Sequence, residues 1–320
     1  MILALCVSFI VVLLAVYIVL AYRRRHRLDG VNVAVVGAGA VGSAIAKSFV
    51  DGGASVELWY AKSPANADKL RSYSIDGKRY SFKVAETPGE TNENSIIFWA
   101  VKNYDLDDAA KMYDGWNRNP NAVYLFVENG IWLGSDPAKP FVPEVFSSTL
   151  QHRNIASRIV VSSNSTRLLE SETKSGEQEI YLTESTKLGI PPAIWGKIAK
   201  WPAGFWECRD FQEQLTEKMI INCGINGISV LCGGANENIG GLGKKLSDNI
   251  VREAADYLGV SGDKIAGISR RISNVRGRNS MAVDILEGKP TEIANLNGTI
   301  HKPFNAWITS MIDSVKLLLA

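Results

Sequence analysis

Lys218, Asn222 and Asn226 stand four residues apart in the largely apolar stretch EKMIINCGINGISVL. At about 100° per residue, a helix keeps three such positions within an arc of roughly 80°, so one ammonium and two carboxamides share a face. Leaving polar groups unpaired in a core costs about 1–3 kcal/mol each, and more for a charge. The stripe therefore needs either permanent partners in a buried network or a polar ligand that visits. In the second case its chemistry is proton donation from the lysine and hydrogen bonding to ligand oxygens from the amides.

A second pattern concerns phosphate. Residues 31–42 read VNVAVVGAGAVG and pass directly into SAIAKSFVDGG, an apolar-periodic helix. Strand, glycine turn and helix follow in the order that a dinucleotide fingerprint requires, Gly37-x-Gly39-x-x-Gly42. Gly37 suits the tight turn, Gly39 the close approach of backbone N–H groups to a pyrophosphate, and Gly42 the close packing of helix on strand. Ala38, Ala40 and Val41 complete the loop, and the helix N-terminus supplies partial positive charge. A glycine turn in an α/β fold that binds no nucleotide is the alternative.

Four further motifs follow in order: IIFWAVKNYDLDDA with Lys102, YLFVENGI with Asn129, KMIINCGIN with Lys218, and RNSMAVDILEGKPTEIANLNG with Ser280 and Glu292. Together with the glycine turn, over about residues 31–305, they resemble the ketopantoate reductase (2-dehydropantoate 2-reductase) family. The resemblance implies an α/β fold, with a Rossmann-type dinucleotide-binding domain followed by an all-α domain and the active site in the cleft between them. It also implies reduction of 2-dehydropantoate to pantoate by NADPH, as in pantothenate biosynthesis. Lys218 is then the general acid, and Glu292 binds the substrate or orients the lysine beside the cofactor. Asn129, Asn222, Asn226 and Ser280 hold the carboxylate and hydroxyl groups of the oxo acid. Lys102 and Asn129 lie near the cofactor. Ser280 or Asn279 could instead cap a helix, and Asp284 reads as a solvated or structural acid.

Cofactor choice turns on the end of the second strand, where an acid holds a ribose hydroxyl and a cation a 2′-phosphate. That strand, VELWY, runs into Ala61-Lys62-Ser63. Glu57 comes too early for the acidic role, so Lys62 and Ser63 are expected to hold the phosphate of NADP. The arginine common at this turn in the family is missing. Two other functions stay open: a related reductase of another 2-oxo acid or opine-type dehydrogenase, and a membrane-tethered NADP-binding protein without turnover.

The elements that must position these residues can also be read. A chain of 320 residues, 46% hydrophobic and 21% charged, is expected to form about two globular domains. A net charge of +2 with scattered Lys and Arg argues against nucleic acid as a partner. Four cysteines, one of them Cys6 in the apolar N-terminus, argue against a disulfide framework, and three dispersed histidines against a metal site. Strand signals SVELWY, SIIFWAV, AVYLFV and ASRIVVSS alternate with helix or loop up to about residue 206, with an added edge expected from 73–84 and 179–182. Beyond Phe211 the pattern is helical, through DNIVREAADYLGV, NSMAVDILEG and a terminal helix.

Ile2 to Tyr22 is an apolar run that would span roughly 31 Å as a helix, enough to cross a bilayer. Arginines follow it as RRRHR and none precedes it, which places the globular part in the cytosol. A cleavable signal peptide is the competing reading. The expected division is a transmembrane helix at 1–22, a basic linker at 23–30, a nucleotide-binding domain at 31–208 and a helical domain at 209–320. Expected partners are a small 2-oxo acid, the membrane and, as an assembly open to such an enzyme, a second copy of the chain in a homodimer.

Overall fold

The computed structural model describes residues 28–59, most of 71–127, the strands between 155 and 207, and 211–319. Six strands form one parallel sheet in the order β5 (Lys83–Ala85), β2 (Ser55–Trp59), β1 (Asn32–Val36), β6 (Ile96–Trp99), β7 (Val123–Phe126), β8 (Ile155–Arg158). Alternation along β1 fills both faces. Val33 and Val35 pack with Ile45 and Phe49 of α1 (Ala40–Asp51). Ala34 and Val36 face the opposite layer, with Trp59, Trp99 and the residues Leu106, Ala110 and Tyr113 of α2 (Leu106–Tyr113). A sheet covered on both faces needs apolar side chains at successive positions, which is why these strands read as continuous apolar runs.

Smaller sheets flank the main one. β3 (Tyr73–Ile75) and β4 (Lys78–Tyr80) join β10 (Thr166–Leu169) and β11 (Glu172–Lys174), while β12 (Gln178–Leu182) lies between β9 (Val160–Ser163) and β13 (Phe205–Glu207). The expected edge therefore reduces to β5, and the expected single strand ASRIVVSS is divided between β8 and β9 in different sheets. The expected linker gives way at Leu28, which is fully buried in the α1 core and donates its backbone N–H to Gly52 O at 2.8 Å.

The helical part is built around α3 (Phe211–Leu231), against which α4 (Gly241–Tyr257), α5 (Gly262–Asn274), α6 (Ser280–Leu286) and α7 (Pro303–Leu319) pack. Met219, Ile220, Cys223, Ile225 and Ile228 of α3 lie in one apolar core with Val251, Ile268, Ile285, Ile308 and Ile312. Two glycines in α3 admit its neighbours. A Cβ on Gly224 would stand 2.6 Å from Val251 Cγ2, and one on Gly227 2.6 Å from Ile308 Cγ1. The run at 262–274 was not anticipated as a separate helix. Residues 1–22 lie outside the described residues, and among those described no helix is long and apolar enough to cross a membrane.

Candidate active site

Strand order reverses between β2-β1 and β6-β7, so the carboxyl ends of β1 and β6 form a switch point, the usual ligand crevice of an open α/β sheet. The glycine turn occupies that crevice. Gly37 adopts φ +97°, and a Cβ there would lie 2.8 Å from Ala100 O just after β6. Gly42 could not carry a Cβ either, because it would collide with Gly37 O. Gly39, the N-cap of α1, has open space where its Cβ would project, and no acidic residue stands in the first turn of the helix. Tight turn, close helix packing and an open backbone at a helix N-terminus fit a dinucleotide pyrophosphate. The residues that would hold it are Gly37 to Gly42, with Ala38, Ala40 and Val41 between the glycines.

Glu57 is fully buried and accepts hydrogen bonds from Lys83 Nζ at 2.7 Å, Asn94 Nδ2 at 3.0 Å and Trp59 Nε1 at 3.3 Å. It thus ties β2 to β5. Lys62, Ser63 and Asn129 lie outside the described residues.

Lys102 follows β6 by three residues and reaches across to the helical part. Its ammonium donates to Asp284 Oδ2 at 2.8 Å and contacts Glu292 Oε2 at 3.5 Å. Burial alone would lower the lysine pKa, but the two carboxylates overcome it and hold Lys102 above its ordinary value. For Asp284 burial dominates. Its pKa is raised by that burial even though Lys102 opposes the shift, and a second carboxylate, Glu292, adds to the rise. Tyr104 belongs to the same field and is pushed up to about 12, chiefly by burial and then by Asp284. Of the two readings of Asp284, solvated or structural acid, the solvated one is corrected: this carboxylate is buried and paired. Its apolar neighbours Val283 and Ile285 on a short helix were the sequence signal for that burial.

α3 carries the polar stripe. Lys218 and Asn222 are half-buried, Asn226 is buried, and Lys218 has interactions of its own in the fold. Two ties hold the Glu292 region and α6 to this helix. Asn297 Nδ2 donates to Cys223 O at 3.1 Å, which fixes the segment just after Glu292. Asn279 caps α6 by accepting from Ala282 N–H at 2.9 Å, while its amide donates to Ser229 Oγ and to Asn236 Oδ1. Asn279 is thus the cap, and Ser280, the first residue of α6, is exposed. Among the described residues no group of His, Cys, Asp and Glu could hold a metal ion.

The comparisons with known proteins agree with this fold. The family model Ketopantoate reductase PanE/ApbA matches residues 33–167, and the corresponding C-terminal model matches 210–302. No match was found among curated proteins. Among solved structures, a D-mandelate dehydrogenase in complex with NADH is 13% identical at a TM-score of 0.72, covering 90% of this chain and 100% of its own. A dimeric ketopantoate reductase from Staphylococcus aureus is 15% identical at a TM-score of 0.68, with 91% and 100% covered. A PanE/ApbA family ketopantoate reductase from Ralstonia eutropha JMP134 is 20% identical at a TM-score of 0.65, with 90% and 99% covered. Such likenesses establish the fold, and the two family models together span both halves of the molecule. The chain belongs to the ketopantoate reductase family of NAD(P)-dependent oxidoreductases.

Proposed function

We propose that the protein reduces 2-dehydropantoate to pantoate with NADPH. The observation that carries this reading is the bridge from Lys102, beside the glycine turn, to Asp284 and Glu292 of the helical part, because it sets an acid of the substrate side at the nucleotide-binding edge. When bound, the nicotinamide supplies the hydride. Lys218 Nζ polarises the keto oxygen and donates the proton that it needs as negative charge develops. Glu292 binds the oxo acid or orients the lysine. Asn222, Asn226, Ser280 and Asn129 hydrogen-bond the substrate carboxylate and hydroxyls. Preference for NADPH over NADH rests on Lys62 and Ser63 after β2, and on Glu57 being taken up by Lys83 and Asn94 rather than available to a ribose. Steady-state oxidation of NADPH against a panel of 2-oxo acids tests the reading. Ketopantoate should be the best substrate, and no turnover with any 2-oxo acid would overturn it.

A second reading is favoured by the likeness to D-mandelate dehydrogenase, solved with NADH and anilino(oxo)acetate. On that reading the same residues reduce an aromatic 2-oxo acid with NADH. An aryl 2-oxo acid in the panel, run with both nucleotides, separates the two. We further propose that residues 2–22 cross a membrane once and leave the enzyme in the cytosol, on the strength of the apolar run and the one-sided RRRHR cluster.

A further inference from the structure

The Lys102 cluster contains one cation and two buried carboxylates, and the two contacts are unequal. Asp284 stands at hydrogen-bond distance, 2.8 Å, and Glu292 only at 3.5 Å. An ammonium has three donors but makes its strongest hydrogen bond at the shortest distance, and here that partner is Asp284. Asp284 is itself held in position. It lies on α6, whose N-cap Asn279 is bonded to Ser229 on α3 and to Asn236, so α6 moves with the helix that carries Lys218. The charged and titratable groups around Asp284 are Lys102 and Tyr104 from the nucleotide-binding side, with Asp105 acting on Tyr104, and Glu292 and Lys289 from the helical side.

We propose that Asp284 is a positioning residue: it holds the Lys102 ammonium across the cleft and so keeps Lys102 from closing on Glu292, whose carboxylate is thereby kept for the oxo acid. The role assigned to Glu292 rests on the function proposed above. The seating of Lys102 by Asp284 does not, and the test reads the two separately.

In Asp284→Asn the amide can still accept a hydrogen bond, but the charge is gone, and Lys102 should shift to Glu292. The apparent KM for the oxo acid should rise about tenfold, with a smaller loss in kcat, because the substrate contact is diverted while Lys218 is untouched. NADPH binding, followed directly by nucleotide fluorescence, should change less than about threefold. The readout that needs no substrate is the pH midpoint at which Lys102 becomes reactive toward a trace acylating reagent, read by peptide mass spectrometry. In the wild type it should lie above the ordinary lysine value. It should fall in Asp284→Asn, which removes one of two carboxylates, and return in Asp284→Glu. A midpoint unchanged in Asp284→Asn overturns the positioning role whatever the substrate proves to be. A lowered midpoint with unchanged KM on a turned-over oxo acid overturns the link to Glu292.

If Asp284→Asn does not fold, Lys102→Gln gives the reciprocal measurement. Buried Asp284 then lacks its cation, and its pKa rises further above the unfolded value. Stability from such groups is present below the unfolded pKa and is lost as pH rises through the folded value. The melting temperature of Lys102→Gln should therefore fall relative to the wild type as pH rises above the unfolded aspartate pKa of about 4. A parallel pH dependence in the two proteins overturns the proposal.

Discussion

Lys218 is the sole cation among the three residues of the polar stripe on α3, and the proposed proton transfer stands or falls with it. Lys218→Ala should lower turnover by about 10²–10⁴-fold. NADPH binding measured directly should stay nearly intact, because the glycine turn that would hold the nucleotide belongs to the other half of the molecule. Glu292→Ala should mainly raise the apparent KM, with a smaller loss of kcat. Near-normal reduction by Lys218→Ala would return the lysine to a purely structural network. The stripe was legible in the sequence because a spacing of four is a local property of a helix. The pairing of Asp284 was not, because its partner is tertiary: Lys102 lies 182 residues away along the chain. A carboxylate between valine and isoleucine signals burial, yet nothing local says which cation meets it.

At the scale of elements, glycine decides how closely backbones approach, and the positions divide into those that pack and those that face open space. A Cβ at Gly39 meets nothing within 4 Å, so Gly39→Ala should melt like the wild type while binding NADPH more weakly, its methyl group filling the space where a pyrophosphate would approach. Gly42→Ala should destabilise the fold itself, since Gly37 O occupies the place of its methyl group. The same contrast holds in the helical part. Gly227→Ala must displace Ile308 and should cost about 1–3 kcal/mol. Gly267→Ala, in the exposed middle of α5, should stabilise by about 0.4–1 kcal/mol, because it meets nothing and stiffens the unfolded chain. Thermal melts of the four variants check both contrasts, and equal melting of Gly227→Ala and Gly267→Ala would remove the packing argument. The strong periodic elements were readable: β1, β6 and β7 are largely continuous apolar runs because their sheet is covered on both faces, and β2 departs from this only at Ser55 and the buried, paired Glu57. α5 was missed because only Ile265, Ile268 and Ile272 mark its inner face amid Gly, Ser and Arg. The assignment of 155–163 to one strand failed because neighbouring segments joined different sheets, a choice made by distant partners rather than by the segment.

At the scale of the whole molecule, the proposed anchor and the catalytic body must be joined by a short connection, and Leu28 limits how short. Its side chain is fully buried against α1, its N–H is bonded to Gly52 O at 2.8 Å, and its carbonyl accepts from Val31 N–H at 2.9 Å. Leu28 is therefore part of the nucleotide-binding core, whereas the basic cluster ending at Arg27 precedes it. A protein lacking residues 1–26 should be released from membranes and fold with the stability of the intact body. One lacking residues 1–30 loses a buried leucine and two backbone hydrogen bonds. It should be less stable by about 2–5 kcal/mol, the usual loss for removing a large aliphatic side chain from a core. Sedimentation of the full chain with membranes, resistant to alkaline wash, is expected alongside. Protease added to vesicles oriented cytosolic side out should digest the enzyme. A full chain that stays in the supernatant would overturn the anchor, and protection of the enzyme would overturn its orientation. Equal melting temperatures for the two truncated proteins would show that the core begins after residue 30 and that Leu28 contributes no stability.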